Sequence, residues 1–154
     1  MTYLLDTQVL IWLTEQSPLL SAKASEIVNR PESRLQISVA SIWEIGIKCG
    51  LGKLTFPEPL EETLQYQLML NRIELLPIEF MHALRVRALP HHHRDPFDRL
   101  IIEQALSEQL PIVSSVQTLT ATALSEFGNN QSQKFTVYDS CKCFGSEREI
   151  RRTH

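Results

Sequence analysis

Three acidic residues stand where their type and position permit chemistry. Asp6 directly follows the apolar Tyr3-Leu4-Leu5, Glu44 lies inside ASIWEIGIKC, and Asp98 lies inside DPFDRL, with Asp95 opening that same run. Carboxylates held about 5 Å apart repel by roughly 3 kcal/mol per pair at an effective dielectric near 20. A cluster of them therefore calls for a hard cation. All-oxygen ligands suit Mg²⁺ or Mn²⁺, and Mg²⁺ typically also binds substrate phosphate. If the three acids converge, the implied reaction is metal-assisted phosphodiester hydrolysis.

Each acid also has a plainer role. An Asp after a strand commonly caps the following helix, which would occupy Asp6. Glu44 can pair with Lys48 four residues on, worth about 0.3–0.5 kcal/mol at an exposed site. Its stripe on a helix includes Ala40, Ile47 and Leu51, and a Glu among apolar neighbours is costly to bury unless paired or bound to a cation. Asp95-Pro96 reads as a helix start, with Asp95 as N-cap and Pro96 in the first helical position. Asp98 then shares a stripe with Ile101, Ile102 and Ala105 and points toward the core side.

Convergence depends on the elements that carry these residues. Apolar strand candidates fall at 3–5, 35–39, 73–77, 111–114 and 135–138. Helical patterns occupy the segment after Asp6, then 21–29 with Ser21 as N-cap, 40–49 ended by Gly50, 59–70, 79–89, 96–108 and 117–127. Short apolar strands alternating with helices imply parallel βα units and an α/β sandwich. Such a sheet places its active site in the crevice beyond the carboxyl ends of its strands, where Asp6 would sit. The expected architecture is one domain over residues 1–139, with 140–154 as a polar tail.

Composition narrows the class. The chain has 154 residues, 43 % of them apolar and 21 % charged, with a net charge of −3. These values suit a globular domain and argue against nucleic-acid binding through a large basic surface. A local positive path from Arg85, Arg87, Arg94, Arg99, Lys48 and Lys53 stays open, with solvated surface charge as the plainer reading. The start of the chain carries no basic region before its short apolar run, so no signal peptide is expected. No apolar run is long enough to span a membrane. Cys49, Cys141 and Cys143 are few and odd in number, which suits a reducing cytoplasm. Cys141-Lys-Cys143 is one residue short of the usual C-x-x-C zinc spacing. His91, His92 and His93 are adjacent, so an ordinary loop cannot aim all three at one ion; they read as a solvated turn.

The segments YLLDTQVLIWL at 3–13, SVASIWEIGIKCGLGKL at 38–54 and LLPIEFMHALRVRALPHHHRDPFDRLIIEQALSEQLPIVSS at 75–115 resemble the PIN-domain ribonucleases. More narrowly, they are similar to VapC-type toxins of bacterial type II toxin–antitoxin pairs. The resemblance implies a PIN-like three-layer sandwich with a mainly parallel sheet of about five strands, and an acidic site for Mg²⁺ or Mn²⁺. It further implies endonucleolytic RNA cleavage, homodimers, and a VapB-type antitoxin that occludes the site. By position, Asp6, Glu44 and Asp98 match the family's first three acids, with Asp95 beside them. An antitoxin helix is expected in an apolar groove near the helices at 40–70, with Trp12, Trp43 or Leu54 as candidate anchors if exposed; a core position for both tryptophans is the equal alternative.

Two positions depart from the family pattern. Gln8 stands where the family usually has His. The fourth acid, expected after the fourth strand, is replaced by Val116, or by Gln117 if the alignment slips by one. Ser114 and Ser115 supply hydroxyls there but no charge, and Asp139 is a remote substitute. The missing acid motivates a second reading, a PIN-fold interaction module with weak or no catalysis. A phosphatase with an Asp nucleophile would need D-x-D where this chain has Asp6-Thr7-Gln8, which lacks the second acid.

Overall fold

The computed structural model describes residues 1–89 and 95–114 and the backbone of 137–139. The histidines at 91–93, Arg94, Ser115, positions 116 and 117, the helix expected at 117–127, Cys141, Cys143 and the tail at 140–154 lie outside them.

The sheet has five parallel strands: β1 (Thr2–Leu5), β2 (Arg34–Ser38), β3 (Ile73–Leu76), β4 (Ile112–Ser114) and β5 (Val137–Asp139), in the order β3-β2-β1-β4-β5. The helices are α1 (Thr7–Thr14), α2 (Ala22–Asn29), α3 (Val39–Gly50), α4 (Leu60–Leu70), α5 (Phe80–Arg85) and α6 (Pro96–Ser107), with a 3₁₀ turn at Val86–Ala88.

Alternation along β1 creates the layers. Tyr3 and Leu5 point to one face and pack with Val9, Leu10, Ile27, Leu35, Ile37, Ile45 and Val113. Leu4 points to the other and packs with Ile101, Ala105 and Ile112. One face is thus covered by α1 to α4, the other by α6, which makes the sandwich three-layered. β1 is central, with Leu5 in register with Ile37 of β2 on one side and Val113 of β4 on the other. From β1 the chain builds the sheet outward first through β2 and β3, then through β4 and β5. This reversal opens a crevice beyond the ends of β1 and β4.

Local chemistry sets most boundaries. Ser21 accepts from the Ala24 N–H at 3.1 Å and caps α2. Ser38 accepts from the Ala40 N–H at 2.9 Å, so β2 ends and α3 starts one residue earlier than the sequence suggests. The same hydroxyl donates to Gln104 Oε1 at 2.5 Å, and Gln104 Nε2 donates to the Pro77 carbonyl, pinning α6 to the sheet edge. Gly50 does not stop α3: it is the last helical residue, and the left-handed turn falls at Gly52, with φ 66°. The helix expected over 79–89 tightens into the 3₁₀ turn after Arg85. Arg99 donates to the carbonyls of Val86 and Leu89 at 2.9 and 2.8 Å and so holds that turn.

Candidate active site

Asp6 follows β1 and opens α1, and its carbonyl accepts from the N–H groups of Val9 and Leu10. It occupies the N-cap position, yet its side chain makes no capping hydrogen bond. Instead Oδ2 accepts from the Ser114 hydroxyl at 2.8 Å, across the mouth of the crevice between β1 and β4. The side chain is buried. Burial pushes its pKa up to about 6; the Ser114 hydrogen bond opposes this, and the charge of Glu44 adds to it.

Glu44 projects from α3 into the same region and is 7 % exposed. Oε2 accepts from the Thr7 hydroxyl at 2.6 Å, and Oε1 accepts from Lys48 Nζ. Both readings of this residue therefore hold at once: the pair with Lys48 forms, and the carboxylate is also buried and bound from another helix. The stripe expected for it is corrected. Glu44 is buried with Ala40, Ser41 and Ile45, while Ile47 and Leu51 turn to solvent.

Asp98 sits in the first turn of α6, and the Ile101, Ile102 and Ala105 of its stripe are buried as expected. Its own side chain is half-buried. Burial first, then the charges of Asp6, Asp95 and Glu44, raise its pKa to about 7 against the lowering effect of Lys48. Asp95 is exposed and caps α6, its Oδ1 accepting from the N–H groups of Phe97 and Asp98 at 2.8 and 3.4 Å.

Residues from three separate segments thus lie within one another's electrostatic reach. Lys48 is their counter-cation: its pKa is raised first by the hydrogen bond to Glu44 and further by the charges of Glu44, Asp95 and Asp98. The donor set is oxygen-only and acidic, in kind a fit for Mg²⁺ or Mn²⁺. In spacing, no group of three His, Cys, Asp or Glu among the described residues is already drawn together to hold an ion.

Sequence reasoning missed Thr7 as a partner of Glu44 and gave Ser114 no role toward Asp6. The D-T-Q turn offers a hydroxyl beside Asp6, but helical spacing relates residues on one helix only, and the Thr7–Glu44 bond joins two. Of the candidate anchors, Trp12 is buried and Leu54 packs against the core, whereas Trp43 is exposed. Among the described residues, no helix is long and apolar enough to cross a membrane.

Comparison with known proteins follows the same lines. The family model for the PIN domain matches residues 3–116. No curated protein matches in sequence. Among solved structures, the chain is similar to VapBC2 from Rickettsia felis bound to a DNA fragment from its promoter, at 17 % identity and a TM-score of 0.59, covering 90 % of this chain and 100 % of that one. It is also similar to DNA-bound VapBC from Salmonella typhimurium, at 20 % identity and a TM-score of 0.52, covering 89 % and 98 %. VapBC-1 from nontypeable Haemophilus influenzae aligns at 22 % identity and a TM-score of 0.51, over 79 % and 94 %.

Proposed function

The chain belongs to the PIN-domain family, and from that premise we propose that it is a VapC-type toxin, an endoribonuclease dependent on Mg²⁺ or Mn²⁺. What supports this reading is that Asp6, Glu44 and Asp98, from three separate segments, lie within electrostatic reach of one another, the charges of Asp6 and Glu44 helping to raise the pKa of Asp98. Three acids with one lysine within electrostatic reach leave a charge that is incompletely balanced. A divalent ion would complete that balance.

Asp6, Glu44 and Asp98 are the residues assigned to hold the ion, with Asp95 alongside. Bound there, the ion would activate water and stabilise the charge that develops on the phosphorus oxygens. The chain's own groups prepare the site. Ser114 fixes the Asp6 carboxylate, Thr7 fixes Glu44, and the Asp95 cap fixes the first turn of α6 that presents Asp98. Lys48 pairs with Glu44 through Nζ. Domain limits of 1–139, with a polar tail beyond, belong to the same reading.

A VapB-type antitoxin is the proposed protein partner, supported by likeness to VapBC complexes. Apolar side chains left exposed on α3 (Ile47), just past its end (Leu51) and on α4 (Met69, Leu70) supply area for it or for a second copy in a homodimer. The second reading, a catalytically weak PIN module, is favoured by Val116 in place of the fourth acid.

The deciding experiment is Mn²⁺-dependent cleavage of RNA by the purified chain and by its Asp6→Asn and Asp98→Asn variants. Cleavage that disappears in both folded variants supports the assignment; cleavage that survives in the double variant rejects this site.

A further inference from the structure

The α3–α6 contact that brings Glu44 toward Asp98 also brings together the residues that precede them. The rings of Trp43 and Phe97 meet edge to face, with centroids 5.2 Å apart and planes at 80°. Trp43 is nonetheless 60 % exposed, the larger part of its indole left to solvent. An indole this open, at the same α3–α6 contact as Glu44 and Asp98, leaves a ring face available to a ligand. Phe97, half-buried in the first turn of α6, braces it from one edge and limits its freedom.

We propose that Trp43, braced by Phe97, is a stacking platform for a nucleobase of single-stranded RNA next to the phosphate engaged by the acids. The inference rests on the proposed nuclease reading and adds to it a residue that binds the base. An ion held by Glu44 and Asp98 would engage the backbone phosphate, and Trp43 and Phe97, their neighbours in the chain, offer aromatic surface at the same α3–α6 contact. Single-stranded RNA is commonly recognised by stacking unpaired bases on aromatic rings, and stacking tolerates any base because every base has a π face. A base in a duplex is already stacked and cannot use the platform, so the site selects single strands.

The protein has two tryptophans, and Trp12 is 8 % exposed, so base-dependent quenching of fluorescence reports Trp43. The full chain is titrated in Ca²⁺ with a short single-stranded oligoribonucleotide, with the same backbone carrying abasic sites, and with a duplex. The expected result is saturable quenching by the single strand only. Trp43→Ala should raise KM for cleavage about tenfold or more with a smaller change in kcat, and Trp43→Phe should restore most of the loss. Equal quenching by the abasic strand overturns the proposal. So does an unchanged KM in folded Trp43→Ala, or a fluorescence change that follows protein concentration without RNA, which would assign the ring to a second copy. Base-dependent quenching without any Mn²⁺-dependent cleavage sinks the nuclease reading while leaving the platform standing; normal cleavage by Trp43→Ala does the reverse.

Discussion

The Ser114 hydroxyl donates to Asp6 Oδ2 at 2.8 Å, joining residues 108 positions apart at the ends of neighbouring strands. Both are buried, and Leu5 and Val113, which precede them, are in register. The bond ties Oδ2 of the Asp6 carboxylate to β4. Asp6 thus stands in a capping position while its side chain makes no capping hydrogen bond.

Ser114→Ala should therefore harm both stability and activity. Losing a buried hydrogen bond costs about 1–2 kcal/mol. Removing a group that orients a metal ligand typically lowers metal affinity or activity about 10–100-fold. Denaturant unfolding and Mn²⁺-dependent RNA cleavage measure the two effects. A variant with normal cleavage would show that Asp6 needs no orientation from β4.

Asp6→Asn and Asp98→Asn should separate function from folding. Each removes a carboxylate that burial and neighbouring charges drive toward neutrality. Stability without metal should hold or rise, since repulsion among the acids is relieved. Cleavage should fall by more than about a hundredfold. The comparison is made by thermal melts in chelator beside a cleavage assay.

The metal-free protein should be more stable at mildly acidic than at mildly alkaline pH. Asp6 is raised from 3.8 to about 6 and Asp98 from 3.8 to about 7. Over that window the folded state binds more protons than the unfolded chain, so unfolding free energy falls as pH rises. This contribution is fully present near the unfolded value and is lost as pH climbs through about 6 to 7. Melting temperature in chelator, followed from about pH 5 to pH 8, should decline. A divalent ion should flatten or reverse that decline, and a rising curve in chelator would contradict the raised values.

Calorimetry with Mn²⁺ should give binding heat that Asp98→Asn abolishes. Val116→Asp, which restores the fourth acid expected from the family pattern, should strengthen it and raise cleavage. A folded protein that gives no heat at millimolar Mn²⁺ belongs to the interaction-module reading. An unchanged Val116→Asp variant would show that position 116 is not the lost ligand.

Asp95→Ala should cost about 1 kcal/mol by removing the α6 cap. Its effect on cleavage should be milder than that of Asp98→Asn, because its Oδ1 is engaged by two backbone N–H groups. Equal losses from the two variants would give Asp95 a direct part in holding the ion.

Periodicity and cap chemistry carried much of the architecture. Apolar strands alternating with helices, Ser21 before α2 and Asp95-Pro96 before α6 are local signals, and local backbone geometry honours them. Boundaries slipped where a distant group chose between options. Ser38 ended β2 because it caps α3 while bonded to Gln104 from another layer. The 3₁₀ turn after α5 is held by Arg99, thirteen positions from Val86.

The acids follow the same division. Residue types and order alone singled out Asp6, Glu44 and Asp98, because a carboxylate after a strand, amid an apolar helix or inside a capped first turn stands out from its neighbours. Whether the Asp6 side chain caps a helix was left open by the sequence, since a capping and a non-capping Asp use the same residue in the same place. Tertiary structure brought Ser114 to Asp6 and Thr7 to Glu44, and left the Asp6 side chain without a capping hydrogen bond. Those contacts depend on which strands pair and which helices cross, and such pairings are fixed by burial of the whole core rather than by any short stretch of chain.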